Sequence, residues 1–235
     1  MMNHMLFAKK NALILTVLVL MVQSHAIAKN LVVAEKNVAV STAVPNHMLF
    51  DEDFAKRDIH QAYDFYLKAA KQGNAEAQVS MGHIYKNGGY GIERDFDQAV
   101  IWFSKAAQQN HPDAQRLMGL AYDFGQGFEE DIHKAVYWYA KSAHQGNGLA
   151  QFELATKYNL GQGVQKDEKI ARAWMLKSAN QGVVIAEYRL GEMYHLGEGG
   201  PVDLKLAKKW YTKSVEHGLS WGLDRIQELQ QPESY

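Results

Sequence analysis

Glu192 and His195 stand at i and i+3 in the stretch EMYH. That is the spacing with which a helix presents a carboxylate and an imidazole to one metal ion in carboxylate-bridged sites. Such sites need a second motif of the same kind and two further facing glutamates, and the chain supplies neither, so no metal ligand set is assigned. The remaining histidines, among them His111, His133, His144 and His217, fall at helix starts and turns and read as solvated. No G-x-S-x-G elbow occurs; Ser142, Ser178 and Ser214 recur as small packing residues, and the count of cysteines is 0, which removes a thiol nucleophile. The turns Gly125-Gln126-Gly127 and Gly161-Gln162-Gly163 could suggest a phosphate cradle. A cradle requires a preceding strand and, for ATP, a Lys-Ser/Thr pair after the last glycine. Neither is present, so these glycines read as structural. The residues assign no catalytic group, no metal and no cofactor.

The elements that position these residues come from a repeat. Four units starting at Asn74, His111, Asn147 and Val183 align with a period of 36 residues and one extra residue in the first loop, and a period of that size signals a stacked array. One set of recurring positions is Ala77, Ala114, Ala150 and Ala186, then Tyr85, Tyr122, Tyr158 and Tyr194, then Gly88, Gly125, Gly161 and Gly197. A second set is Asp95, Asp131, Asp167 and Asp203, then Ala99, Ala135, Ala171 and Ala207, then Trp102, Trp138, Trp174 and Trp210, then Lys105, Lys141, Lys177 and Lys213. Ala77, Met81, Gly82 and Tyr85 share one helical face. Glycine then ends that helix in a left-handed conformation. The aspartate caps the next helix, in which alanine, tryptophan and serine form a packing stripe that buries the indole against a neighbouring unit. Each unit is therefore two antiparallel helices, and an aromatic that returns in every unit belongs to the core.

The signatures A-x(4)-G-x(2)-Y, G-x-G-V and A-x(2)-W-x(2)-K-x-A resemble the Sel1-like repeat family, relatives of tetratricopeptide repeats, from Asp58 to about Gln230. The resemblance implies an all-α fold, an α/α solenoid wound as a right-handed superhelix, that serves as a non-enzymatic adaptor or scaffold. It also implies frequent export from bacteria for envelope assembly, signalling or host contact. Ala155 stands where other units have glycine, and Val215 where they have alanine. One branch of the family ties each repeat with a disulfide, which this chain cannot do.

The N-terminus reads as a secretory signal peptide over residues 1–28. Lys9 and Lys10 form the basic region, residues 12–22 (ALILTVLVLMV) an apolar run, and Ala26-Ile27-Ala28 a cleavage site before Lys29. The run is shorter than the roughly 20 residues a membrane-spanning helix needs. The mature chain is expected to be soluble, without stable membrane insertion, and to reside in the periplasm or outside the cell. Loss of Lys9 and Lys10 takes the formal net charge from −1 to about −3, and the basic residues are interspersed with acids. That distribution argues against nucleic acid as a partner. Residues 29–53 then read as a flexible leader, 54–73 as a half repeat, 74–110, 111–146, 147–182 and 183–218 as repeats 1–4, and 219–235 as a capping helix and tail. In the cap, Trp221, Leu223, Ile226 and Leu229 are expected to cover the open end.

Positions that change between units are free for function. On the first helix of each unit they read Val79, His83 and Lys86; Arg116, Leu120 and Asp123; Phe152, Thr156 and Asn159; Tyr188, Glu192 and His195. This row is expected to lie opposite the packing face and to line a concave groove. Arginine and aromatic residues anchor interfaces, so Arg116, Phe152, Tyr188 and Arg189, with His83 and Glu192, are the candidate contacts for another protein or peptide. Three functions fit this reading: an envelope adaptor or regulator, an immunity protein that neutralises a toxic effector, and an enzyme acting on cell-wall material. The adaptor follows most directly, because the enzyme would need a deep cluster of acid and base side chains.

Overall fold

The computed structural model describes residues 52–229. The signal segment 1–28, all of the leader 29–53 but its last two residues, and the tail from 230 onward lie outside them. Within the described residues are ten α-helices and no strand: α1 (Glu52–Lys71), α2 (Ala75–Asn87), α3 (Phe96–Gln108), α4 (Pro112–Asp123), α5 (Ile132–His144), α6 (Gly148–Leu160), α7 (Glu168–Asn180), α8 (Val184–Leu196), α9 (Leu204–Glu216) and α10 (Trp221–Glu228). The pairs α2/α3, α4/α5, α6/α7 and α8/α9 are repeats 1–4, each first helix packing on its own second helix and on the helix that precedes it in the stack.

Local chemistry sets the helix boundaries. Asp95, Asp131, Asp167 and Asp203 accept the backbone N–H of Gln98, Lys134, Ile170 and Leu206 at 2.9, 3.0, 2.9 and 2.8 Å, satisfying donors that a helix start leaves open. Their own N–H groups donate to the carbonyls of Tyr85, Tyr122, Tyr158 and Tyr194 at 2.8 to 3.0 Å, which closes each intra-repeat turn. The second glycine of the turn serves the stack. Gly127 and Gly163 have φ of +72° and +70°, and a Cβ there would sit 2.8 Å from the carbonyl oxygens of Phe96 and Ile132 in the preceding unit. These turns bear on backbone, so they are structural.

Inside each unit a small residue on the first helix faces a large one on the second. A Cβ on Gly119 or Gly191 would lie 2.5 or 2.6 Å from the ring of Tyr139 or Tyr211, and one on Gly82 would enter the ring of Phe103. In repeat 3 the same register pairs Ala155 with Met175, both buried. The extra methyl is matched by a narrower, flexible partner, which accounts for the departure at position 155.

The recurrent lysines have a packing role. The Lys105, Lys141, Lys177 and Lys213 ammonium groups lie 4.1, 5.3, 4.0 and 4.8 Å from the ring centroids of Trp102, Trp138, Trp174 and Trp210, one helical turn away and within cation–π range. As expected, the indoles bury against the unit before: Trp138 on the cluster around Phe103 and Leu117, Trp174 on that around Ala135 and Val136. Ser142 and Ser178 donate to the carbonyls of Pro112 and Gly148 at 2.7 and 2.6 Å, so they are hydrogen-bonding as well as small.

A polar seam runs beneath the first helices. Buried Gln78, Gln115 and Gln151 donate to the carbonyls of Ala70, Ala107 and Ala143 at 3.1, 3.4 and 3.1 Å and accept from Gln109, Gln145 and Gln181 at 2.8, 2.6 and 2.8 Å. Repeat 4 replaces the glutamine pair with Glu187, 1% exposed, and His217 at 2.8 Å. His217 is thus paired, and His111 likewise caps α4 and contacts Glu76 at 3.0 Å; neither is merely solvated. At the C-terminal end Leu219, Trp221, Ile226 and Leu229 pack on Tyr188, Ala207 and Tyr211. Leu223 departs from expectation: it is 47% exposed and points away from the stack.

Candidate functional site

The exposed part of the first helices is narrower than the row of changing residues. Arg116, Phe152 and Tyr188 are 7%, 3% and 8% exposed, so they do not lie opposite the packing face as expected. Each first helix has second helices on two sides, and its buried arc is therefore wider than the single stripe of a surface helix. The first position of the changing row falls inside that arc. In repeats 1, 3 and 4 the outward residues lie one and four positions further along, Ser80 and His83, Glu153 and Thr156, Arg189 and Glu192, all half-buried, whereas in repeat 2 the first of these positions is the core residue Leu117. The candidates therefore split into Arg116, Phe152 and Tyr188 as the floor of the face, and His83, Arg189 and Glu192 as its accessible rim.

Charge is concentrated over repeats 1–3. Lys157 donates to Asp123 Oδ1 at 2.7 Å and to Gln162 at 3.3 Å, while the Tyr139 hydroxyl donates to Asp123 Oδ2 at 3.0 Å. The side chains of Lys157 and Asp123 are 9% and 8% exposed, so this ion pair ties α6 to α4 from inside. Beside it stands Glu153, whose pKa is pushed up to about 7, chiefly by burial and to a lesser degree by Asp123, against the opposing pull of Arg116 and Lys157. His83 rests edge-on against Phe103 at 5.3 Å. Burial first, then the charges of Lys86 and Arg116, hold its pKa down to about 4. Burial and the same guanidinium also lower Lys86. Arg116 accordingly sits between the Lys86 ammonium of α2 and the Glu153 carboxyl, and its Nε and Nη1 have no hydrogen-bond partner among the described residues.

Over repeat 4 the face is aromatic and better paired. The Tyr188 ring lies 5.6 Å from Tyr211 and 5.8 Å from Trp221. Arg189 bonds Glu192 at 2.5 Å, and Arg225 of α10 approaches Glu192 at 4.0 Å and the Tyr188 hydroxyl at 3.5 Å. His195 approaches the Tyr211 hydroxyl at 3.4 Å. Glu192 and His195 thus have separate protein partners, and among the described residues no three His, Asp or Glu side chains form a group able to hold a metal.

Glu153, Lys157 and the pairing of Asp123 were not among the sequence candidates. Their signal was register: Lys157 occupies a position held by Ile84, Ala121 and Met193 in the other units. A charge at an otherwise apolar register needs a partner nearby.

The family model for the Sel1 repeat matches residues 40–74, 75–111, 112–147, 148–183 and 184–219. Its first copy reaches back to residue 40, into the segment that the sequence reads as leader. A protective antigen of uropathogenic Escherichia coli with this repeat fold is 34% identical, with a TM-score of 0.67, over 71% of this chain and 35% of that one. A Sel1 repeat protein from Oxalobacter formigenes is 35% identical, with a TM-score of 0.67, over 72% of this chain and 49% of that one. The chain therefore spans a third to a half of the length of these relatives. No curated protein matches it. Among the described residues no helix is long and apolar enough to cross a membrane.

Proposed function

Because the chain belongs to the Sel1 repeat family, whose members generally mediate protein–protein interaction, we propose that it is a non-enzymatic adaptor, exported through its signal segment, that holds a protein or peptide on the face of its first helices. One observation carries the reading. The stacking positions return in every unit, whereas this face changes from the Lys86 and Arg116 cations over repeats 1 and 2 to aromatic and paired over repeat 4. A face kept only for solubility has no need of buried charge, since polar groups away from water cost stability unless they are matched. The site of action we propose is the cell envelope, in its regulation or assembly, with the mature chain starting at Lys29.

Truncating Arg116, Phe152 and Tyr188 would test folding as much as binding, because removing a buried aromatic costs about 3–5 kcal/mol. The rim allows a cleaner experiment. A photo-crosslinking residue is placed at His83, Thr156 or Glu192 in the exported chain, with Lys208 on the opposite helix layer as control. The expected result is one discrete adduct from the face positions and none from Lys208. Absence of adduct at all three face positions overturns the reading. N-terminal sequencing of the exported protein tests the cleavage site.

A further inference from the structure

We propose that Arg116 anchors a carboxylate from an acidic side chain of the bound peptide; this builds on the adaptor reading and adds the chemistry of the partner. The side chain is 7% exposed, and its Nε and Nη1 are enclosed without a hydrogen-bond partner among the described residues. A guanidinium offers five donors in a planar fork, and burying part of that fork unmatched works against the free protein. The fold does not ask for it. The same register holds Val79, Phe152 and Tyr188 in the other repeats, so an apolar residue satisfies the stack.

Among the described residues, the groups that could neutralise Arg116 are engaged or unsuited. Asp123 already accepts from Lys157 and Tyr139. Asp113, at the start of α4, accepts from Asn147 at 2.6 Å. Glu153 forms no ion pair with it and carries only part of a charge near neutrality. On the other side Lys86 adds cationic character, and it makes no ion pair among the described residues. The unmet need is an anion. A carboxylate supplies acceptor oxygens and a single negative charge to the guanidinium. A phosphate dianion would bring a second negative charge against Glu153, so the acidic side chain is the better complement.

The probe is N-acetylglutamate N-methylamide, titrated into the isotope-labelled chain from Lys29 while the arginine Nε–Hε resonances are followed by NMR, with Arg116→Lys for assignment. The Arg116 resonance is expected to shift saturably, with a Kd of about 1–10 mM for so small a ligand, and to stay in place with the glutamine analogue. No shift with the glutamate probe, or an equal shift with matched sodium chloride, overturns the proposal. Tighter response to inorganic phosphate overturns the choice of carboxylate. A fluorescent octaglutamate peptide gives a second measure: Arg116→Met should weaken it by about tenfold or more while leaving the melting temperature unchanged or raised. Lys209→Gln, which removes one exposed charge elsewhere, should change it little; equal loss in both variants refutes a specific anchor. Crosslinking from the rim without any response at Arg116 would sink this inference alone and leave the adaptor reading standing.

Discussion

Replacing Gly82 with alanine in α2 puts a methyl group into the ring of Phe103, at 2.9 Å from Cζ and nearer still to Cδ1 and Cε1. Phe103 is 3% exposed and cannot swing away. Overpacking of this kind costs about 1–3 kcal/mol, while alanine in place of a mid-helix glycine contributes about 1 kcal/mol in the other direction. The single variant alone is therefore a poor test. A double-mutant cycle with Phe103→Met separates the two terms, because the propensity gain is the same in both backgrounds and cancels. Repeat 3 supplies the precedent for the double variant in Ala155 and Met175. The expected coupling is about 1–3 kcal/mol in urea unfolding, with Gly82→Ala destabilising the wild-type protein and neutral or stabilising in the Phe103→Met background. A coupling below about 0.5 kcal/mol, the scatter of independent sites, would refute the reading that glycine is present because of the ring.

Lys157→Met leaves the enclosed Asp123 carboxylate with the Tyr139 hydroxyl alone, and should cost about 3–5 kcal/mol; adding Asp123→Asn should recover part of it in the same unfolding assay. In repeat 4, His217→Ala strips buried Glu187 of its partner and should cost about 1–3 kcal/mol, whereas Glu187→Gln with His217→Gln rebuilds the glutamine seam of repeats 1–3 and should stabilise. Burial raises Glu153 from 4.5 to about 7, so between those values the folded chain holds more protons than the unfolded one and stability falls as pH rises. Glu153→Gln should remove that slope, gaining on the wild type from about pH 5 to about pH 7.5. For His83 the folded pKa drops from 6.5 to about 4, so its contribution is lost as pH falls through that window. Its ring resonances should report a neutral imidazole until about pH 4, and a midpoint near the ordinary value would contradict the enclosed position.

The architecture was legible in the sequence because the residues that specify it act locally and return in phase. Asp131 caps the helix it precedes, Gly125 ends the helix it follows, and Trp138 marks a stripe that any helical wheel reveals. The face of the first helices was less legible. A wheel shows which side of a helix is apolar but not how many neighbours will press on it. The second contact surface comes from elsewhere in the stack: at this register Val79 packs with Ala114 and Leu117 of the next unit, and Tyr188 with Trp221 of the capping helix. The Asp123–Lys157 pair joins separate repeats and could be anticipated only from the odd residue at an apolar register. Placing the lysines over the tryptophans needed the i, i+3 geometry to be applied to the cation as well as to the apolar stripe.

The compensations within this stack differ in where they lie, and that governs how the array could lengthen or shorten. Ala155 and Met175 belong to one unit, so a duplication or excision of that whole unit carries the matched pair with it. The Asp123–Lys157 bond spans the junction of repeats 2 and 3, and Arg172 of repeat 3 grips the carbonyls of Glu198 and Gly200 in repeat 4 at 2.5 and 3.2 Å. Inserting a copy at either junction separates residues that fit only each other. The junction of repeats 1 and 2 is held by the Gly127 approach to Phe96 and the Trp138 stripe, and its one ion contact among the described residues, His111 to Glu76, involves a carboxylate that is 83% exposed and easily replaced by water. Growth of the array by unit duplication is least costly there, and a designed chain with an additional repeat should receive it at that joint.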